Sequence, residues 1–176
     1  MIRDKLLLDL DGVLVDLVLG ISNALGKAWP YNDPKYFGEP HLNKVFDIDV
    51  LWDKLSPEFW ANLPWSFDGS EILAYCEKRY EPKNICILTA PANEASAIGK
   101  MRWMERHLPY YHSRRQYFIG WQKDFMAEPR ATLIDDTSDN TDLFSLRGGK
   151  AILVPRPWNR LHASKLTVVQ TLEKFL

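Results

Sequence analysis

The sequence predicts an α/β protein: a doubly wound parallel sheet with a small helical cap inserted after the first strand. Two observations predict it. After residue 66, short apolar runs alternate with segments of helical periodicity, an order typical of parallel strands joined by right-handed crossovers. Four of the predicted strands also end in, or are closely followed by, a polar side chain. Because the carboxyl ends of such strands meet at one edge, a ligand site is expected there.

The first predicted strand carries the most informative stretch. Residues 6–8 are apolar, as in a buried parallel strand, and Asp9 follows them directly. Asp11 and Gly12 come next, and a glycine lets the chain turn sharply while leaving backbone N–H groups uncovered for an anion. Two carboxylates so close repel each other unless a cation or a proton lies between them. The pair predicts a shared Mg²⁺, or an aspartate nucleophile beside an acid/base.

A simpler interpretation of this stretch is a β-hairpin. An Asp-Gly pair between two apolar segments is a common hairpin turn, and Leu14 and Val15 could begin the returning strand. The later strands favour the first interpretation, because they bring further charged and hydroxyl residues to the predicted edge.

Residues 17–66 are predicted to be a helical insertion. Apolar residues recur at helical spacing over residues 17–29, and Pro30 ends that helix. A second helical pattern covers residues 49–63, with a cap and a fresh start at 56–58.

The rest of the chain alternates between helix and strand. The predicted elements are a helix over 68–79, a strand from 84 to Thr89, a helix over 92–108, strands over 116–120 and 131–136, a helix over 138–146, a strand over 150–154 and a closing helix over 161–176. The predicted domains are an α/β core of residues 1–16 and 67–176 and a cap of residues 17–66.

Composition excludes several classes of protein. The 176 residues fit one domain with a modest insertion, and a net charge of −1 gives no basis for wrapping a nucleic acid polymer. Two cysteines, Cys76 and Cys86, have no metal-ligand spacing and form no disulfide framework, which favours a reducing, cytoplasmic location. No segment approaches the length of a membrane span. The expected partner is a small molecule.

The polar residues at the predicted edge suit phosphoryl transfer. Asp9 is predicted to attack phosphorus and form an aspartyl-phosphate. Asp11 is predicted to protonate the leaving oxygen and then to deprotonate the attacking water. Thr89 would donate a hydrogen bond to a phosphoryl oxygen, and Lys123 would neutralise charge in the transition state.

A Mg²⁺ ion is the expected cofactor. Its predicted ligands are Asp9, the main-chain carbonyl of Asp11, and a carboxylate of the pair Asp135 and Asp136. Taken alone, that pair could be the N-cap of the next helix. Thr89 and Lys123 would likewise be unremarkable by themselves, but all of these residues together favour the catalytic interpretation.

These stretches resemble the motifs of the haloacid dehalogenase-like superfamily. Residues 9–16 are similar to motif I, residues 88–91 to motif II, Lys123 to motif III and residues 133–136 to motif IV. The resemblance covers nearly the whole chain, and Asp11 separates the phosphatase type from the dehalogenases. It implies a Rossmann-like core, with Mg²⁺ as cofactor.

The resemblance also implies roles for individual residues. Thr89, Ala90 and Lys123 would bind the phosphate. Asp136, supported by Asp135, would hold the metal.

Within the superfamily the chain is most similar to the 5′(3′)-deoxyribonucleotidases. The position of the insertion, the Thr-Ala-Pro end of motif II, and residues 102–107 and 134–139 carry this resemblance. It implies a cap whose aromatic residues hold the nucleobase or sugar, and Phe46, Trp60 and Trp65 are the predicted pocket residues. These side chains could instead form the core of the cap.

The sequence also departs from the nucleotidase pattern. Residues 92–94 lack a basic residue that some nucleotidases carry near the phosphate, and Trp121 and Gln122 stand where a more basic pair is expected. Two other functions therefore stay open: a phosphatase for a sugar phosphate or another small ester, and an idle domain that binds a phosphorylated ligand or a protein. The intact Asp9 and Asp11 argue against idleness. Homodimers are common among similar proteins, although the sequence carries no interface signature.

Overall fold

A computed structural model describes residues 4–47 and 52–176. Its sheet has five parallel strands in the order β3-β2-β1-β4-β5. The strands are β1 (Lys5–Leu8), β2 (Ile85–Thr89), β3 (Tyr117–Ile119), β4 (Ala131–Asp135) and β5 (Lys150–Leu153). The prediction of a doubly wound parallel sheet is confirmed. The strand order reverses between β1 and β4, which is where such sheets bind ligands.

The central strand β1 is apolar on both faces because strands flank it on both sides. Leu6 pairs with Ile85 of β2, and Leu8 pairs with Ile87 of β2 and Ile134 of β4. All five side chains are fully buried. No hairpin forms after β1, since its neighbours are β2 and β4.

Eight α-helices lie in the described part of the chain. They are α1 (Leu17–Leu25), α2 (Leu42–Phe46), α3 (Pro57–Ala61), α4 (Gly69–Arg79), α5 (Glu94–His107), α6 (Pro109–Ser113), α7 (Ser138–Leu146) and α8 (Val168–Phe175). None of the described helices is long and apolar enough to cross a membrane.

Three helix predictions were partly wrong. The helix predicted over residues 17–29, with Pro30 as its end, stops at Leu25 because Gly26 adopts the left-handed C-cap conformation. The predicted helix over 161–176 begins only at Val168, because Thr167 caps it: the Thr167 hydroxyl accepts a hydrogen bond from the Gln170 N–H at 3.2 Å. The predicted helix over 49–63 is an α-helix only over Pro57–Ala61, after a single 3₁₀ turn at Trp52–Lys54. The fresh start at Ser56 is confirmed, since its hydroxyl accepts from the Phe59 N–H at 3.3 Å. Residues 49–51 of this prediction lie outside the described residues.

The inserted segment packs closely on α5. A side chain at Gly99 would overlap Trp60 and the carbonyl oxygen of Pro57, so α3 and α5 can touch only because this residue is glycine. The Trp103 indole N–H also donates to the Leu63 carbonyl at 2.9 Å. Buried residues of the insertion and of the α/β core belong to one hydrophobic cluster. The division into core and cap stays a prediction.

Candidate active site

Asp9 stands at the carboxyl end of β1, where the strand order reverses. Its backbone N–H donates to the Ile134 carbonyl at 3.0 Å, which continues the pairing with β4. Its carboxylate is buried, and Oδ1 lies 2.6 Å from the Lys123 ammonium. Lys123 begins a 3₁₀ turn after β3 and also contacts Asp135 Oδ2 at 2.7 Å. The lysine is only 3% exposed, so it bridges two buried carboxylates.

Asp11 belongs to the same edge but has a different partner. Its Oδ2 atom lies 2.6 Å from the ammonium of Lys100, a residue of α5 that is only 2% exposed. Lys100 also donates to the Thr89 hydroxyl at 3.0 Å and to the carbonyl oxygen of Ala90. The sheet edge therefore holds two buried lysines, each paired with one aspartate of the first motif.

Three buried carboxylates form a potential cation site. One oxygen from each of Asp9, Asp135 and Asp136 lies within 4.8 Å of the other two. The Asp11 carboxylate is not in this group. Oxygen donors of this kind suit a hard cation such as Mg²⁺.

The two aspartates after β4 differ in their surroundings. Asp135 accepts hydrogen bonds from the Thr137 N–H at 2.8 Å and from the Asn140 amide, besides its contact with Lys123. Asp136 accepts from the Trp158 indole N–H at 2.5 Å and from the Thr137 hydroxyl at 3.3 Å. Asp135 is therefore more fully engaged, which leaves Asp136 freer to bind a cation.

The electrostatics of this group also favour a cation. Burial raises the pKa of Asp9 well above its ordinary value, Lys123 opposes that shift, and Asp135 adds to it. Burial, followed by the charge of Asp135, raises the pKa of Asp136 to about 7. Burial alone would lower the pKa of Lys123, but Asp135 and Asp9 outweigh it and raise the pKa. One ammonium is thus too little positive charge for three buried carboxylates, and a divalent ion fits the group.

The loop after β1 is held against Asp136. Gly12 has a φ of 72°, and a side chain there would overlap the Asp136 carboxylate, so only glycine fits. Arg156 fixes this loop from the far side: its Nε donates to the Gly12 carbonyl at 2.6 Å. The same guanidinium binds both oxygens of buried Asp68, at 2.8 and 2.9 Å.

A cavity of about 220 Å³ opens in front of these residues. Its polar wall includes Asp9, Asp11, Thr89, Ala90, Lys123 and Asp136, and its other wall consists of Leu17, Val18, Pro40, Leu42, Trp52 and Trp158. The predicted phosphate-binding residues therefore face one space together with an apolar wall.

The aromatic residues predicted to line the pocket lie elsewhere. Phe46 and Trp60 are in the hydrophobic core, 2% and 1% exposed. Trp65 packs on Trp103 and donates its indole N–H to His107 Nδ1 at 3.3 Å. All three pack in or against the core, and Trp60 and Trp65 also contact α5, since a small helical segment needs large residues for a core.

Sequence reasoning missed Lys100 and did not assign Trp52 or Trp158 to the pocket. A signal for Lys100 was present: it lies among Ser96, Gly99, Trp103 and Met104, the buried positions of α5. A lysine inside a buried helical stripe needs a charge partner, and here that partner is Asp11.

No protein-family model matches this chain, and no curated protein matches it. Solved structures do. A haloacid dehalogenase-like hydrolase from Streptococcus pneumoniae has a TM-score of 0.57 at 16% identity, covering 99% of both chains. A haloacid dehalogenase-like hydrolase from Burkholderia xenovorans LB400 has a TM-score of 0.52 at 15% identity, covering 93% of this chain and 89% of that chain. A dehalogenase with an intermediate complex has a TM-score of 0.54 at 10% identity, covering 99% of this chain and 97% of that chain.

These similarities define the class of fold. The chain has the fold of haloacid dehalogenase-like hydrolases, and the carboxyl edge of its sheet carries three clustered aspartates.

Proposed function

We propose that this protein is a Mg²⁺-dependent phosphomonoesterase that works through an aspartyl-phosphate. One observation carries the proposal: the carboxylate of Asp9, at the end of the central strand, lies 2.6 Å from buried Lys123 and faces a cavity that Asp11 also lines. A nucleophile, a cation and an acid/base thus share one small space. The haloacid dehalogenase-like fold supports the assignment to the hydrolases.

The proposed metal ligands are Asp9, Asp136 and the main-chain carbonyl of Asp11, with Asp135 in support. The clustered carboxylate oxygens and their shortage of positive charge support this set. When bound, the ion offsets the repulsion between Asp9 and an incoming phosphate dianion.

The reaction has two displacements. A carboxylate oxygen of Asp9 bonds to phosphorus while the ester P–O bond breaks, and Asp11 gives its proton to the leaving oxygen, so that an alcohol departs. Water then bonds to phosphorus and gives a proton to Asp11, while the bond between Asp9 and phosphorus breaks and inorganic phosphate leaves. Lys123 and the Thr89 and Ala90 segment hold the phosphoryl oxygens.

Nucleoside monophosphates are the proposed substrates, as in the 5′(3′)-deoxyribonucleotidases that the sequence resembles. The indole rings of Trp52 and Trp158 on the cavity wall support this substrate class, because stacking a base on an aromatic ring contributes about 1–3 kcal/mol. The small cavity, about 220 Å³, favours a second candidate: a smaller ester such as a sugar phosphate. We also propose a cytoplasmic location, because both cysteines are free thiols. A homodimer is proposed from the resemblance to the nucleotidases alone.

Phosphate release from 5′- and 3′-nucleoside monophosphates and from sugar phosphates tests the function. The assay is run with Mg²⁺, with EDTA and with the Asp9→Asn variant. We expect turnover of deoxynucleotides that is lost in both controls. Turnover of sugar phosphates alone would keep the chemistry and reject the nucleotide pocket. Folded protein that releases no phosphate from any ester would reject the enzyme.

A further inference from the structure

We propose that Lys100 is a positioning residue: it holds the Asp11 carboxylate in place for proton transfer and does not itself bind the phosphoryl group. This inference rests on the proposed function. It concerns a residue in the middle of α5, eleven positions after Thr89 along the chain, that no sequence motif marks.

The hydrogen bonds of Lys100 support this role. A lysine ammonium has three N–H donors, and this one has three acceptors: Asp11 Oδ2, the Thr89 hydroxyl and the Ala90 carbonyl. Every donor is already used within the protein. A phosphoryl oxygen could reach Lys100 only by displacing one of them.

The other buried lysine differs in this respect. Lys123 contacts Asp9 and Asp135 and has no third acceptor among the described residues. It also lines the cavity, whereas Lys100 is not among the lining residues. The two lysines therefore have different roles. Lys123 has an N–H group that can donate to a substrate, whereas all three N–H groups of Lys100 donate to acceptors within the protein.

The surroundings of Lys100 keep its side chain in one position. Its ammonium lies 5.5 Å from the ring centre of Trp60, a cation–π distance. Trp60 itself is held against α5 at Gly99. The first turn of α5 is fixed by a reciprocal cap between Asn93 and Ser96. The Lys100 side chain is thus fixed by the capped helix α5 to which it belongs and by its contact with Trp60 of the insertion.

Asp11 is oriented as a result. Oδ2 is bound to Lys100, whereas Oδ1 is buried and has no hydrogen-bond partner among the described residues. Asp11 lines the cavity. One oxygen is thus fixed to the protein, and the other is left to carry the proton that passes to the leaving group and returns from water.

The test compares two kinds of substrate in the Lys100→Met variant. An aryl phosphate such as p-nitrophenyl phosphate has a leaving group that departs without a proton, whereas an alkyl phosphate needs one. General acid catalysis contributes about 10²–10⁴-fold. We expect Lys100→Met to lower kcat for the alkyl ester at least 10-fold more than for the aryl ester, with KM little changed. Asp11→Asn should show the same bias.

A double variant supplies the decisive comparison. If Lys100 acts through Asp11, the Asp11→Asn/Lys100→Met protein is no slower than Asp11→Asn alone. It also removes the buried ammonium and its charge partner together, which keeps the comparison available if Lys100→Met alone does not fold. Lys78→Met makes the same chemical change at an exposed site on α4 and should leave both rates unchanged. Circular dichroism confirms that each variant is folded.

Two results would overturn the inference. Equal losses on both esters, or an additive loss in the double variant, would mean that Lys100 binds the phosphoryl group or serves the fold alone. The proposed function fails separately, when the unmodified protein releases phosphate from neither ester, and the inference then fails with it.

Discussion

Trp158 donates its indole N–H to Asp136 Oδ2, at a distance of 2.5 Å. The bond joins the loop after β5 to the carboxylate proposed as a metal ligand, and the same indole forms part of the cavity wall. One side chain therefore orients a potential metal ligand and forms part of the cavity wall. This hydrogen bond also lowers the pKa of Asp136, against the larger effect of burial.

Trp158→Phe should weaken the response to Mg²⁺. The ring stays but the donor is lost, so the Asp136 carboxylate loses its orientation and its pKa rises further. Removing such a supporting hydrogen bond typically costs about 10–100-fold in metal affinity. Activity measured against Mg²⁺ concentration should shift by that factor, with a smaller change in maximal rate. Trp121→Phe, at a residue that is 68% exposed, is the matched control; identical Mg²⁺ curves for both variants would contradict the prediction.

Lys123→Met should abolish most of the activity. The substitution removes the cation that contacts Asp9 and Asp135. Losing one preorganised donor of this kind lowers kcat by about 10²–10³-fold. Unlike Lys100→Met, this variant should lose the same factor on aryl and alkyl phosphates, because the charge that Lys123 neutralises does not depend on the leaving group.

Two further measurements complete the Lys123 experiment. Lys165→Met, at an exposed position, should keep the original rate. A loss confined to alkyl phosphates in Lys123→Met would show that the roles of the two lysines are assigned the wrong way round.

The sequence could predict the sheet and its edge because the signals there are local. Each strand is a short apolar run, and Asp9, Thr89, Asp135 and Asp136 end or follow such runs. Parallel topology then brings these ends together with no further information. That is why a site could be outlined from spacing alone.

Contacts that depend on how helices pack could not be predicted in the same way. Lys100 meets Asp11 because of how α5 packs beside the loop after β1, and the helical pattern of α5 does not specify that packing. Phe46 and Trp60 are aromatic residues of the insertion, but composition does not say which of its faces is buried. The structure places both in the core and leaves Trp52 on the cavity wall.

Metal-free protein should become less stable as the pH rises from about 4 to about 7. The pKa of Asp136 is about 7 in the folded state against an ordinary value of 3.8. Folding therefore takes up a proton in this window, and the free energy of unfolding falls with increasing pH. Added Mg²⁺ should reverse the loss at pH 7, because the ion replaces the proton among the carboxylates.

Asp136→Asn separates this effect from general pH sensitivity. The amide carries no charge, so the metal-free variant should melt a few degrees higher than the unmodified protein at pH 8. For a domain of this size, a gain of about 1 kcal/mol in the free energy of unfolding raises Tm by roughly 2–4 °C. It should also lose the stabilisation by Mg²⁺. Asp142→Asn is the control, since the contact with Arg160 lowers the pKa of this exposed carboxyl below the window. Parallel Tm-versus-pH curves for Asp136→Asn and the unmodified protein would contradict the assignment.

Arg156→Met should destabilise the fold and the loop that follows Asp9, the proposed nucleophile. The substitution leaves Asp68 buried without its partner and leaves the Gly12 carbonyl without its donor. Breaking a buried ion pair by removing one partner costs about 3–5 kcal/mol. Chemical denaturation should show that loss, whereas Arg160→Met, which breaks a solvent-exposed pair with Asp142, should change the free energy of unfolding little.

The double variant Arg156→Met/Asp68→Leu tests which part of this contact matters for catalysis. Replacing a buried ion pair by apolar residues is often neutral for stability, so the free energy of unfolding should recover. The Gly12 carbonyl still lacks its donor, so the loop that follows Asp11 and packs against Asp136 is no longer held in place. We therefore expect kcat to stay reduced. Recovery of stability and rate together would mean that Arg156 serves only to neutralise Asp68, and that the glycine loop needs no support from it.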